Sequence, residues 1–162
     1  MIVVSDTSPL NYLVLIGAID VLPGLFTRVY VPPSVISELT RTKTPDLVRN
    51  WFHSPPTWLQ IVAPNVQYPF TAKLDAGEAD ALSLAIELQI REVLIDERLG
   101  RHVAAREGLI PLPTLTVLEF AATKGLLELP LALQKLQQTT FRAPADMFAA
   151  LLARDIARKR RN

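Results

Sequence analysis

Several acidic residues in this chain fall where apolar runs end or within the helices that follow them. "IVVS" is followed at once by Asp6, and "EVLI" at once by Asp96. Glu38 lies in "SVISELT", beside the apolar stripe of Val35, Ile36 and Leu39, while Glu78 and Asp80 open the segment "GEADALSLA". Carboxylates brought to one place repel one another and resist losing water. A divalent cation removes that conflict. Mg2+ or Mn2+ prefers hard oxygen ligands, keeps several waters, and binds through one or two carboxylates together with phosphate oxygens. It lowers the pKa of a bound water and stabilises the charge developing on phosphorus. Asp6, Glu38, Glu78, Asp80 and Asp96 are therefore candidates for a catalytic cluster that hydrolyses phosphodiesters without a histidine or serine base.

Each of these acids also has a structural reading. Asp6 could turn back onto a backbone N–H, and Glu38 could be a solvated helix-face residue. Glu78 could complete a capping box with Asp75, three residues before it. Asp80 could be a first-turn carboxylate favoured by the helix dipole, and Asp96 an N-cap. Glu97 reads as exposed rather than as a ligand. Separate structural causes would not bring all of these acids to one edge of a sheet, so the joint pattern carries the catalytic reading.

That edge depends on the elements. "IVVS" (residues 2–5) is a β-branched run suited to a strand buried on both faces. Ser8 followed by Pro9 predicts an N-cap and a first-turn proline, with Gly17 ending the helix. If Ser8 supplies the cap, Asp6 has no structural task. "RVYV" (28–31) is a second strand, ended by Pro32 and Pro33, and helices follow in "SVISELT" and "TPDLVRNWFH". "LQIV" (59–62) is a candidate edge strand. "LDAGEADALSLAIELQ" is a deeply packed helix, "EVLI" (92–95) a strand, "LGRHVAAREG" a helix, "LIPL" the last strand, and the remainder three helices. This alternation predicts an α/β fold, a three-layer α/β/α sandwich with a central parallel sheet and right-handed crossovers. In such a sheet Asp6 and Asp96 lie close together if their strands are neighbours.

The chain's 162 residues suit a single domain, 1–162. Apolar residues make up 49% and charged residues 20%, a globular balance. The absence of cysteine excludes thiolate metal sites and thiol nucleophiles and fits a reducing interior. Two histidines are thin for a zinc site. The first apolar run is too short for a signal peptide and no run approaches the length of a membrane span, so the expectation is a soluble, cytoplasmic protein with no membrane partner. Net charge is +1, but "RDIARKRRN" (154–162) carries five cations against one Asp. That basic end reads either as a nucleic-acid contact or as a solvated helix end.

The segments "VSDTSPL", "VPPSVISEL", "GEADALSLA" and "VLIDERLGRHVA", in this order and spacing, resemble a PIN domain. The branch resembled is one of predicted nucleic-acid-binding PIN proteins related to the VapC-type ribonuclease toxins, and the likeness spans nearly the whole chain. It implies a Mg2+ or Mn2+ pocket that cleaves single-stranded RNA. On this sequence the family's acids fall on Asp6, Glu38 and Asp96, and on Asp80 or Glu78 according to whether "DALSLA" or "GE" is matched. Asp6 and Asp96 would bind the principal metal, with Glu38 and Asp80 (or Glu78) completing the site and orienting the attacking water. Thr7 or Ser8 would assist near the first acid, and Arg98 and Arg101 could hold RNA phosphates. The toxin branch implies an antitoxin partner. The region "TLTVLEFAATKGLLELPLALQKL" offers apolar surface for that antitoxin or for a homodimer, or is simply core. One departure is "PTLT" at 113–116, where the branch often has a "GTLG" turn; proline removes an N–H that could meet a phosphate.

Two other functions compete. A PIN-like module that is catalytically weak or inactive and binds nucleic acid or a protein is the reading the altered "PTLT" turn favours. A receiver-type phosphoacceptor domain would need an acidic pair after the first strand and a lysine after the last, and neither is present. No Gly-rich fingerprint supports dinucleotide binding.

Overall fold

Consecutive side chains on a strand point to opposite faces of its sheet. In the computed structural model, which describes all 162 residues, Val3 and Val4 of the first strand follow this rule into two separate cores. The chain runs β1 (Ile2–Ser5), α1 (Thr7–Leu15), a 3-10 turn (Ile19–Val21), α2 (Leu22–Leu25), β2 (Arg28–Val31), α3 (Pro33–Leu39), α4 (Asp46–His53) and β3 (Leu59–Ile61). It continues through α5 (Ala76–Leu88), β4 (Glu92–Leu94), α6 (Arg98–Arg106), β5 (Ile110–Leu112), α7 (Thr114–Thr123), α8 (Leu129–Gln137) and α9 (Ala145–Arg161).

The five strands form one sheet in the order β3-β2-β1-β4-β5, and every pairing is parallel. Helices cover both faces, so the fold is the expected α/β three-layer sandwich. A core of 29 buried residues on one face takes Leu10 and Leu13 from α1, Val48 from α4, Leu118 from α7, Leu133 from α8 and Leu151 from α9. Each fully buried leucine there contributes about 2 kcal/mol. The other core, of nine buried residues, lies under α5 and α6. The order also separates this fold from a receiver domain, whose sheet runs 2-1-3-4-5.

Several expectations change in detail. The first helix starts at Thr7, so Asp6 holds the N-cap position and Ser8 is a residue of the first turn, not the cap. Pro9 is then the third residue of the helix, still in the first turn, where its missing N–H has no intrahelical partner to lose. The 3-10 turn and α2 were not signalled by apolar periodicity; they are too short to show one. "LQIV" is indeed an edge strand, shortened to Leu59–Ile61. The region from Thr114 to Gln137 is mostly core, with Phe120, Leu126 and Leu131 left exposed.

The basic C-terminal end is neither loose nor wholly solvated. Arg154 pairs with Glu119 on α7 at 2.6 Å, and Lys159 with Glu128 at 2.9 Å. Asp155, buried at 4% exposure, receives Arg158 at 2.6 Å and Lys159 at 3.1 Å. No single helix is long and apolar enough to cross a membrane.

Candidate active site

The parallel register sets Ser5 beside Leu94, and the Asp6 N–H donates to the Leu94 carbonyl at 2.9 Å. β1 and β4 are therefore neighbours, and Asp6 and Asp96 leave the sheet at the same carboxyl edge. This is where open α/β sheets bind ligands.

Asp6 occupies the cap position, yet its side chain makes no capping bond. It is 4% exposed, and its Oδ1 is buried with no hydrogen-bond partner. Burial pushes its pKa up to about 7; the Thr7 N–H opposes this, and the charges of Asp75, Glu38 and Asp96 add to it. The Thr7 hydroxyl donates to Glu38 Oε2 at 2.8 Å, which joins the start of α1 to the last turn of α3. Gly77 brings α5 against this pair. A methyl group at Gly77 would stand 3.1 Å from Asp6 Oδ1 and 3.4 Å from Glu38 Oε2. A side chain there would fill the space the two carboxylates face.

Asp75 caps α5 as expected, accepting the Glu78 N–H at 2.8 Å. Glu78 is 7% exposed. Its pKa is raised, first by burial, then by the Asp75 charge and a shared hydrogen bond with the Asp75 carboxyl, then by Asp6 and Glu97. It thus faces other acids and not merely its own helix end. Gly100, in the first turn of α6, lies beside it, but the close neighbour there is Ile95: a methyl at Gly100 would stand 2.5 Å from Ile95 Cδ1 and at an ordinary 3.6 Å from Glu78 Oε2. Asp80 is half-buried, one turn beyond Gly77 and on that side of α5 by helical spacing. It is not among the charges that raise Asp6 or Glu78.

Asp96 follows β4, and Glu97 takes the N-cap position of α6 in its place. The Thr114 N–H donates to Asp96 Oδ1 at 2.8 Å, and the Thr114 hydroxyl to Oδ2 at 2.6 Å. Thr114 is fully buried and follows Pro113, which holds the cap position of α7. The "PTLT" turn therefore orients an acid. Burial raises the Asp96 pKa, while both Thr114 bonds and the Arg101 charge pull it back.

Residues 2–155 match a family model, DUF3368, described as a PIN domain. The chain belongs to the PIN-domain family. No curated protein and no solved structure matches it.

PIN domains are a nuclease-type fold that typically uses divalent metal ions. The acids of this PIN domain suit such an ion. They are hard oxygen donors, Asp6 carries an orphaned buried oxygen, and Gly77 keeps a space open between Asp6 and Glu38. No three of the acids already converge on one point as a preformed cage. Mg2+ does not require one, since it binds through one or two carboxylates with water and phosphate. Ser8 is half-buried, Arg98 is exposed, and Arg101 is half-buried with an unpartnered buried Nε.

The sequence reading of this PIN domain missed three residues. Asp75 looked like a cap alone, and only the packing of α5 against β1 and α6 turns it into a charge neighbour of Asp6 and Glu78. Gly77 carried a signal, since glycine in the first turn of an otherwise alanine- and leucine-rich helix suggests close approach. Thr114 carried none, because it reaches Asp96 across 18 residues of chain.

Proposed function

We propose that this PIN domain is a Mg2+- or Mn2+-dependent endoribonuclease that cleaves single-stranded RNA. The observation that carries the reading is Asp6. It is a buried carboxyl with an unpartnered oxygen, ringed by other acids, and no cation of the protein reaches it. A fold that only needed stability would pair or remove such a group.

In this reading Asp6 and Asp96 hold the principal ion, and Glu38 with Glu78 completes the site and orients the attacking water. Glu78 is assigned ahead of Asp80 because it shares the electrostatic environment of Asp6. The ion, when bound, supplies an acidified water and stabilises charge on phosphorus. Thr7 holds the Glu38 carboxylate and Thr114 that of Asp96, so both acids keep a fixed orientation through the reaction. Arg101 and the exposed Arg98 contact phosphates of the strand.

The motif order supports a VapC-type relationship, and with it the toxin half of a pair whose antitoxin fills the acidic cleft with an arginine. A homodimer on the exposed Phe120, Leu126 and Leu131 belongs to the same reading. The absence of cysteine supports a cytoplasmic site of action. The test is cleavage of single-stranded RNA with Mn2+ by the wild type and by Asp6→Asn. Cleavage lost in the variant is the expected result. An intact strand with the wild type, or equal cleavage by both, defeats the enzyme reading and returns the chain to a binding module.

A further inference from the structure

Asp96 and Arg101 line more than the acid cluster. They also form one wall of a neighbouring cleft of 350 Å3, closed on its other side by the connection between α8 and α9 and by the first turns of α9. Three arginines line this cleft, and they are not alike. Arg154 is neutralised, with Nε and Nη2 on the two oxygens of Glu119 at 2.6 and 3.2 Å. Arg142 places Nη1 on the carbonyls of Thr139 and Phe141 at 3.0 and 2.9 Å. Those bonds steady its guanidinium without cancelling its charge. Arg101 has a buried Nε with no partner, and its charge is felt by Asp96. Neither Arg101 nor Arg142 joins an ion pair in the fold.

The remaining wall is apolar, with Leu115, Phe141 and Met147. Phe141 is braced edge-on by Tyr12 at 5.1 Å and Phe148 at 6.4 Å between ring centroids, so this wall does not depend on a ligand for its shape. Met147 is 44% exposed at the cleft. Asp96 and Glu119 also line the cleft, but Glu119 is taken by Arg154 and neither Arg101 nor Arg142 is ion-paired; two such guanidinium groups facing a firm apolar wall suit a ligand with an anionic phosphate and a flat apolar group. The volume lies at the low end of small-ligand sites, about 300–1,000 Å3. Because Asp96 belongs to both sites, a nucleotide in the cleft is adjacent to a phosphate at the acids.

We propose that this cleft is a nucleotide subsite in which Arg101 and Arg142 take the phosphate and the wall of Leu115, Phe141 and Met147 takes the base of the nucleotide next to the scissile bond. The inference rests on the nuclease reading and adds a direction to it: the strand leaves the acids past Asp96 toward α9. An apolar wall reads a base by packing, so sequence preference at this position is weak.

The experiment measures binding of a fluorescently labelled single-stranded RNA of about 10 nucleotides to the Asp6→Asn protein at several salt concentrations. Adding Arg142→Gln weakens binding roughly tenfold and lowers the slope of log K against log salt by about one. Adding Met147→Glu, which brings a negative charge to the wall, weakens it at least as much and serves if the arginine variant fails to fold. Adding Arg160→Gln, at the exposed far end of α9, leaves binding unchanged. Arg142→Gln binding as tightly as its parent, or Arg160→Gln costing as much, overturns the subsite. Displacement of the strand by 5′-AMP at lower concentration than by unlabelled strand also overturns it, in favour of a free nucleotide. The two readings separate cleanly. RNA cleavage by the wild type with Arg142-independent binding removes the subsite alone. Arg142-dependent binding by a wild type that never cleaves with Mn2+ removes the nuclease reading and keeps the strand subsite.

Discussion

Asp6 and Asp155 are equally buried, each at 4% exposure, and they are opposites. Burial pushes the Asp155 pKa up, but the Arg158 hydrogen bond to Oδ1 and the Lys159 ammonium 3.1 Å from Oδ2, itself without a hydrogen bond, hold it below the usual carboxylate range. Burial pushes Asp6 up as well, and its neighbours Asp75, Glu38 and Asp96 push the same way, to about 7. One carboxylate is compensated by cations one turn along its own helix, α9. The other is left for something outside the chain to compensate. Burial alone distinguishes nothing here; the sign of the surroundings does.

The strongest test of this contrast is activity. Asp6→Asn lowers Mn2+-dependent RNA cleavage by on the order of 1,000-fold, as loss of a group stabilising transition-state charge does. Asp155→Asn retains wild-type turnover per folded molecule, measured in the same assay. Equal losses in the two variants would erase the distinction.

Next in size is the pH dependence of metal-free stability. The Asp6 pKa is 3.8 in its ordinary state and about 7 in the fold. Below the lower value it is protonated in both states, and its neutral form is fully accommodated. Between the two values the unfolded chain releases the proton and the fold retains it, so stability falls as pH rises. Above about 7 the loss is complete, on the order of 4 kcal/mol at most. Thermal melts in chelator should therefore show wild type losing stability from about pH 4 to pH 7, a slope that Asp6→Asn reduces. Mn2+ added above that window should raise the melting temperature of wild type more than that of the variant. Asp155 contributes with the opposite sign: its stabilisation is present above its ordinary value and is lost only as pH falls through its lowered one.

A third variant turns the second aspartate into a likeness of the first. Arg158→Gln with Lys159→Gln leaves Asp155 buried without its cations. The expected cost is about 2 kcal/mol, below the range for fully buried pairs because both cations are partly exposed. In a chain of this size that lowers the melting temperature by about 6 °C. No change would mean that Asp155 is not held by these cations.

Smaller effects come from the groups that orient the acids. Thr114→Val removes the hydroxyl on Asp96 but keeps the backbone bond, so the Asp96 pKa rises further and cleavage falls roughly tenfold. A pH–rate profile that does not move would show that Thr114 only packs. The smallest effect is expected from Asp80→Asn, a few-fold loss against the much larger loss from Glu78→Gln. The reverse ranking would give Asp80 the place assigned to Glu78.

Most of the fold was legible from local signals. The β-branched run at residues 2–5, the Asp75 cap and the prolines at 32 and 33 act within a few residues of themselves, and the structure places elements accordingly. The first helix shows the limit of such signals. Ser8 followed by Pro9 was a fair cap pattern, yet the helix begins at Thr7 and Asp6 takes the cap position without capping. Its failure to cap therefore has a different basis: the Thr7 N–H acts on the carboxyl, but Oδ1 is left without a partner among other acids.

What the sequence determined by itself is the kind of chemistry: oxygen donors at strand ends, no thiol, and an alternation of strands and helices that brings those ends to one edge. What tertiary structure decided is which acids meet and how each is held. β1 pairs with β4, Gly77 admits α5 to the Asp6–Glu38 pair, and Thr114 reaches back to Asp96. The physical reason is range. Capping and strand propensity depend on neighbours a few residues away, whereas the charge state of a buried carboxylate depends on everything within several ångströms, most of it distant in the chain.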